Sequence, residues 1–231
     1  MRDIAELKVQ AAEQAVTFIQ SGMVVGLGTG STAVHAVRAV GRLLQAGQLR
    51  HIVAIPTSEA TAAEARSLQI PLVTFDTHPV IDITIDGADE ADPNLDVIKG
   101  LGGALLREKI VAAVSRRFVI VADHSKRVTQ LGSKAPVPVE VIPFAARPVG
   151  DYLQSLGARV EMRLDGAGKR PFRTDENNII LDCYLGPIAD PCQLAAAIRQ
   201  QPGVVEHGLF LNMATDVIFA TPDGLEHVTR L

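Results

Sequence analysis

The chain has 231 residues, 47% of them hydrophobic and 21% charged, with a formal net charge of −4. That is enough chain for one large or two modest globular domains, and its acidic balance argues against a nucleic-acid binder, which presents a basic face. Two cysteines, Cys183 and Cys192, exclude a disulfide framework, match no zinc spacing, and fit free thiols in a reducing cytoplasm. No apolar run reaches membrane-spanning length, and the charged N-terminus lacks the apolar stretch of a signal peptide, so a cytoplasmic protein without a membrane partner is expected.

Residues 3–20 place Ile4, Leu7, Ala11, Ala15, Phe18 and Ile19 at helical spacing, and Ser21-Gly22 should stop that helix. Met23–Leu27 reads as a short buried strand, followed by a glycine-rich turn at 28–32 and a second helix to about Leu44. His51–Ile55 reads as the next strand, 59–68 as a helix, Pro71–Phe75 as a strand, and Val80–Ile85 as a strand that delivers Asp86. A helix over Ala104–Val114 and a strand over Phe118–Ala122 follow. Strands alternating with helices predict a Rossmann-like α/β domain with a parallel sheet, whose ligands gather at the carboxyl ends of the strands. Polar or glycine-rich clusters stand at four such ends, at 28–32, 56–58, 86–90 and 123–126.

Beyond Leu131 the composition changes, and prolines punctuate a strand over Val137–Ile142. A helix (147–156), a strand (158–163), a turn at Asp165–Gly168, a strand (178–185), a helix (191–200) and a strand (203–209) follow. That order predicts a smaller α+β domain of the ferredoxin-like, split βαβ kind. The expected division is 1–131 with 208–231 for the α/β domain and 132–207 for the small one, the strand Asp216–Ala220 returning to the first.

The chemistry concentrates in a few windows. Gly26-Leu-Gly-Thr-Gly-Ser-Thr32 lies between a strand and a helix, where glycines and helix amides suit an anion. It reads either as a phosphate cradle or as a tight turn with ordinary capping. It is no P-loop, lacking the Lys-Ser/Thr that would follow, and no acidic residue is placed for a dinucleotide ribose. Asp86-Gly-Ala-Asp-Glu90 reads as acid–base chemistry at a strand end, as a divalent-metal site, or as a polar turn, with Asp86 and Asp89 favoured over Glu90. Lys99-Gly-Leu-Gly-Gly103 can set an ammonium and backbone amides where negative charge develops; a lone Lys-Gly is more often a solvated helix end. Glu108 reads as an inward-turned base or, like most helical glutamates, as a surface salt-bridge partner. Lys126, in Asp123-His-Ser-Lys126, reads as a substrate contact or an exposed loop lysine, and Lys8 has less support still. The six histidines form no ligand pattern.

Taken in order, Gly28-Thr-Gly-Ser-Thr32, Asp86–Glu90, Lys99–Lys109, Ala122–Lys126, Pro138–Pro143 and Thr221-Pro-Asp-Gly224 make the chain similar to ribose-5-phosphate isomerase, type A, over nearly its whole length. The resemblance implies interconversion of D-ribose 5-phosphate and D-ribulose 5-phosphate in the non-oxidative pentose phosphate pathway, with no metal and no organic cofactor. It implies substrate contacts from Thr29, Gly30, Ser31 and Thr32, from Asp86, Gly87, Ala88 and Asp89, from Lys99, Gly100, Leu101 and Gly102, and from Lys126. Glu108 is the implied proton acceptor, with Asp86, Asp89 and Lys99 completing the catalytic set, and Lys8 is an implied phosphate partner. Leu101 departs from a pattern in which several members carry glycine, which bears on one backbone contact. A homodimer or dimer of dimers is implied, with a sugar phosphate as partner and no nucleic acid. The rival readings are an amino-sugar-phosphate deaminase, for which this chain lacks a histidine placed for ring opening, a non-enzymatic sugar-phosphate sensor, and a metal-dependent isomerase.

Overall fold

The computed structural model describes residues 4–230. In chain order the elements are α1 (Ile4–Val16), β1 (Val24–Leu27), α2 (Ala33–Gln45), β2 (Val53–Pro56), α3 (Glu59–Ser67), β3 (Ile81–Gly87), β4 (Glu90–Ala91), β5 (Val97–Ile98), α4 (Leu105–Ala113) and β6 (Ser115–Asp123). There follow β7 (Val137–Val141), α5 (Ala146–Ser155), β8 (Arg159–Met162), β9 (Ile179–Tyr184), α6 (Pro191–Gln200), β10 (Val204–His207), β11 (Leu209–Phe210), β12 (Asp216–Thr221) and β13 (Gly224–Thr229). Two compact units result. The first combines the described part of Met1–Ala88 with Arg107–Arg127 and the described residues from Asn212 onward; the second combines Asp89–Leu106 with Val128–Leu211. Residues 89–106, 128–131 and 208–211 thus group with the second unit, where the sequence division had put them in the first.

The first unit is built on a sheet of order β13-β12-β6-β3-β1-β2, parallel throughout except for the antiparallel edge strand β13. Its central strands read as near-continuous apolar runs, such as Phe118-Val-Ile-Val-Ala122, because both faces are covered. Val25, Leu27, Ile83, Ile85, Val119, Val121 and Ile218 share one core with Leu7, Ala11 and Ala15 of α1 and Ala36, Val37 and Val40 of α2. Val111 of α4 packs with Ile55 and Ile81. The chain runs from β1 through α2 to β2 on one side and then returns to place β3 on the other side of β1. The β1/β3 junction is therefore a topological switch point, where the loops leaving the two strands diverge.

The second unit holds a four-stranded antiparallel sheet of order β10-β7-β9-β8. With α5 after β7 and α6 after β9, this is the expected split βαβ arrangement. Val137, Val139, Val141, Leu181 and Cys183 pack with Val149, Leu153 and Ile198 of its helices. Asp190 caps α6 by accepting from the Gln193 amide, with Pro191 at the first helical position. A separate three-stranded sheet, β11-β5-β4, lies in the same unit.

Several elements differ from the sequence reading. The first helix ends at Val16, not residue 20; Thr17, Phe18 and Ile19 continue it only as tight turns, in keeping with the poor helix propensity of β-branched and aromatic side chains. Asp3, its expected first residue, lies outside the described residues. Pro71–Phe75 is no strand: it makes a single bridge, Ala54 to Leu72, before the chain turns at Thr74–Thr77. The expected strand 203–209 is two, because Gly208 breaks it and sends Leu209–Phe210 to a different sheet.

One polar network in the first unit makes a stability prediction. Arg117 grips Asp216 through Nε (2.9 Å) and Nη2 (2.7 Å), while the Thr215 hydroxyl and His227 Nε2 also reach the carboxylate. Burial alone would raise this carboxyl, but the Arg117 fork, Thr215 and His227 outweigh it and hold Asp216 at about 2. A depressed carboxyl adds stability that is fully present above its ordinary value of about 4 and is lost as pH falls through the folded value. Asp216→Asn should cost about 2 kcal/mol at pH 7. Thermal melts should show Tm lowered by roughly 4–8 °C, a gap that narrows in melts run progressively below pH 4.

Candidate active site

Within the first unit, polar groups converge at the carboxyl ends of β1, β3 and β6. Asp86 ends β3 fully buried, and its Oδ1 accepts from the amides of Thr29 (3.0 Å) and Gly87 (2.7 Å). The loop after β1 therefore lies directly on this carboxylate. Gly28 is what allows it: a Cβ there would stand 2.4 Å from Asp86 Oδ1 and 2.5 Å from its Cα. The Thr29 hydroxyl turns the other way, into a cluster with Thr57 Oγ1 (2.7 Å), Ser58 Oγ (2.8 Å) and Thr61 Oγ1 (3.0 Å). Thr57 and Thr61 in turn donate to the carbonyls of Leu27 and Gly28. The loop is thus tied on one side to Asp86 and on the other to the start of α3. Thr61 was not singled out from sequence; only the polar end of β2 at 56–58 hinted at this tether.

Gly30 takes a positive φ of 117°, which glycine adopts without strain. Thr32 precedes α2 but makes no side-chain cap hydrogen bond, so the ordinary-capping reading of the loop fails there. Ser31 is exposed and accepts from Lys8 Nζ at 3.0 Å. Lys126 closes a short 3-10 turn after β6, capped by Asp123, whose Oδ1 accepts from the Ser125 amide at 2.9 Å. Burial would raise the Asp123 carboxyl, but the Ser125 bonds and the charges of Lys8 and Lys126 outweigh it and hold it below the usual range. Both lysines therefore sense the same carboxylate, and with Ser31 they form a cationic, hydroxyl-bearing corner beside the β1 loop. Lys8, which had the least support in the sequence, belongs to it.

Glu108 lies in the first turn of α4 and is only 4% exposed. Its neighbour Arg107 takes the surface role instead, pairing with Glu59 at 2.8 Å and drawing that carboxyl below its usual range. The surface salt-bridge reading of Glu108 is therefore set aside.

Within the second unit, Lys99 is 2% exposed, with its Nζ 5.7 Å from the centre of the Phe210 ring. It is no solvated helix end. An ammonium carried out of water is costly unless something uses it. Asp89 sits half-buried, its amide donating to Ile98 and its Oδ2 accepting from the Leu101 amide at 2.9 Å. Leu101 had been expected to offer a backbone contact to substrate; its amide is engaged by Asp89, and its side chain is exposed. Gly100 (φ 104°) and Gly103 (φ 85°) need glycine, and at Gly103 a Cβ would also meet the Phe172 ring at 2.4 Å; Gly102 has open space. Glu90 is fully buried and accepts from the amides of Gly132 (2.6 Å), Lys134 and Ala135 (2.7 Å). It anchors the 132–135 loop. Gly87 and Ala88, both half-buried, join Asp86 to Asp89 along the chain.

Among the described residues no group of three or more His, Cys, Asp or Glu is arranged to hold a metal ion. No helix among them is long and apolar enough to cross a membrane. Both cysteines are free, and burial pushes the Cys183 thiol up to about 12, which leaves it unreactive.

Residues 53–224 match the family model of ribose 5-phosphate isomerase A (phosphoriboisomerase A). The chain is 54% identical over 216 residues to ribose-5-phosphate isomerase A of Roseiflexus castenholzii, covering 94% of this chain and 92% of that one. It is 52% identical over 222 residues to the protein of that name from Desulfatibacillum aliphaticivorans, covering 96% of each. Among solved structures, ribose 5-phosphate isomerase A from Methanocaldococcus jannaschii superposes with a TM-score of 0.93 at 39% identity, covering 98% of this chain and all of that one. A D-ribose-5-phosphate isomerase in complex with phospho-erythronic acid superposes with a TM-score of 0.97 at 38% identity, covering 99% and 100%.

Proposed function

The chain belongs to the ribose 5-phosphate isomerase A family, and we propose that it interconverts D-ribose 5-phosphate and D-ribulose 5-phosphate through an enediolate, with Glu108 as the base. The observation that carries the reading is the burial of a carboxylate, Glu108, and an ammonium, Lys99, in a chain of this family. Moving a carbonyl from C1 to C2 of a sugar requires a base for a weakly acidic C–H and a cation for the oxygen that becomes charged.

The steps follow from those groups. Asp86 assists opening of the furanose ring, exposing the C1 aldehyde. Glu108 takes the C2 proton; the C–H electrons form the C1–C2 double bond, and the carbonyl electrons pass to O1. Lys99 and the glycine amides of the Gly100–Gly102 loop stabilise that oxygen. A proton passes from O2 to O1 with Asp86 as carrier, and Glu108, whose acquired proton exchanges with solvent before the second transfer, protonates C1, giving the ketose. Asp89 supports the charged loop through Leu101. Lys8, Ser31 and Lys126 hold the phosphate, whose binding energy fixes the reacting carbons. The relative solved with phospho-erythronic acid supports the assignment: a carboxylate beside a hydroxylated carbon has the planar shape and charge of the enediolate.

No residue in this scheme calls for a metal or organic cofactor. The cytoplasmic location and the dimer or dimer of dimers belong to the same proposal, the first resting on free thiols and the second on family membership.

The test is proton NMR of the purified protein with D-ribose 5-phosphate in deuterium oxide containing EDTA. Ribulose 5-phosphate carrying deuterium at C1 is the expected result. Binding without turnover or exchange would favour a sensor, and ammonia release from glucosamine 6-phosphate would favour a deaminase. The same assay reads Gly28→Ala. Because the added methyl would collide with the backbone of Asp86, not with a flexible chain end, the carboxylate must shift. A fall in kcat of about 100-fold is expected for a displacement of that size, with the fold retained in circular dichroism.

A further inference from the structure

Arg163 follows β8 in the second unit, far in sequence from every residue of the proposed chemistry. Its Nε donates to Asp182 Oδ2 at 2.9 Å and its Nη2 to Asp182 Oδ1, closing a two-pronged ion pair in which each side chain is 13% exposed. The remaining nitrogen does something an ordinary ion pair does not. Nη1 donates to the carbonyls of Gly100 (2.7 Å) and Leu101 (3.0 Å), the two residues after Lys99. Asp182 belongs to the central part of the sheet, on β9 between β7 and β8. The guanidinium therefore bridges a rigid sheet and an irregular glycine loop.

We propose that Arg163, fixed by Asp182, is a positioning residue that aims the Lys99–Gly102 loop; the inference rests on the reading of that loop as the enediolate-stabilising element. The argument is one of peptide geometry. In a trans peptide the carbonyl and the following N–H point in opposite directions. Drawing the Gly100 carbonyl to Arg163 turns the Leu101 amide away from it, and that amide meets Asp89 Oδ2. Drawing the Leu101 carbonyl to the same nitrogen turns the Gly102 amide away as well. Two consecutive amides are thereby directed to the side opposite Arg163, with Asp89 taking the first. The Phe172 ring closes against Gly103 at the end of the loop. Lys99 is held at its other side, its amide donating to the Gly208 carbonyl at 2.9 Å.

Lysine cannot replace this fork: it offers a point charge without the planar geometry that serves a carboxylate and two carbonyls at once. Arg163→Lys should lower kcat on the order of 10- to 100-fold with KM little changed, because the misaimed groups act on the transition state. The control is Lys99→Met, alone and combined with Arg163→Lys. If Arg163 acts through the loop, its replacement costs kcat in the wild-type background and little more once Lys99 is gone. Asp182→Asn, which keeps Arg163 but loosens its anchor, should give a smaller fall of the same kind and serves if the first variant fails to fold. A normal kcat in folded Arg163→Lys or Asp182→Asn, with Lys99→Met impaired, overturns the inference and leaves the catalytic reading intact. So does an equal loss in both backgrounds. A normal kcat in Lys99→Met overturns the catalytic reading of the loop and the inference with it.

Discussion

Glu108→Gln should reduce kcat by on the order of 10³-fold while KM changes little and the melting temperature holds. Glutamine keeps the shape of the side chain and both heavy atoms of its head group, so packing at a site only 4% exposed is preserved. What it loses is basicity: an amide cannot accept the C2 proton at neutral pH. In the proposed scheme the phosphate is held by the Lys8, Ser31 and Lys126 corner, which the substitution does not touch. Steady-state kinetics and deuterium exchange should fail together, because both need the same proton transfer. A variant that exchanged normally would mean that another carboxylate, with Asp86 first in line, is the base.

Lys99→Met should lower kcat by about 10²–10³-fold, the size of effect that follows loss of one oxyanion donor. Its fold should be retained. Lys99 lies at 2% exposure against the Phe210 ring, and methionine, an unbranched chain of similar length, keeps that ring covered. Circular dichroism and thermal melts should therefore show a folded protein that has lost most of its rate. A lower Tm with normal kcat would make Lys99 a structural residue.

The α/β layout was legible because the buried parallel strands are largely apolar, and β1, β3 and β6 end abruptly in glycine or a carboxylate. Asp86 could be placed at a strand end from Val80–Ile85 alone, and Glu108 on a helix from the residues around it. The short strands β4, β5 and β11 were not legible: two residues carry no alternation to detect. Nor was β13, whose Leu225 and His227 sit on an exposed edge. At Pro71–Phe75 apolar residues imitated a strand, but the turn at Thr74–Thr77 leaves no room for a ladder. The tethers of the site escaped for a different reason. Thr61 on the Gly28 carbonyl, Glu90 on the 132–135 loop and Arg163 on Gly100 join residues that only the folded chain brings together. Local patterns name the groups that do chemistry far more readily than those that hold them in place.

The strand order β13-β12-β6-β3-β1-β2 also bears on how the protein is made. Strand β6 can join β3 as soon as it leaves the ribosome, but its other edge is covered only by β12, roughly ninety residues later, a delay of about 5–20 s at ordinary synthesis rates. Throughout that interval β6 presents an unpaired edge whose five central residues, Phe118-Val-Ile-Val-Ala122, are apolar and free of proline, with charges only at its ends, at Arg116, Arg117 and Asp123. Most of the second unit, Val128–Leu211, is synthesised within the same interval. A nascent chain of this topology spends its vulnerable period building one unit while the sheet of the other stands open, so a pause before Asp216 exposes it to strand-mediated association with its neighbours.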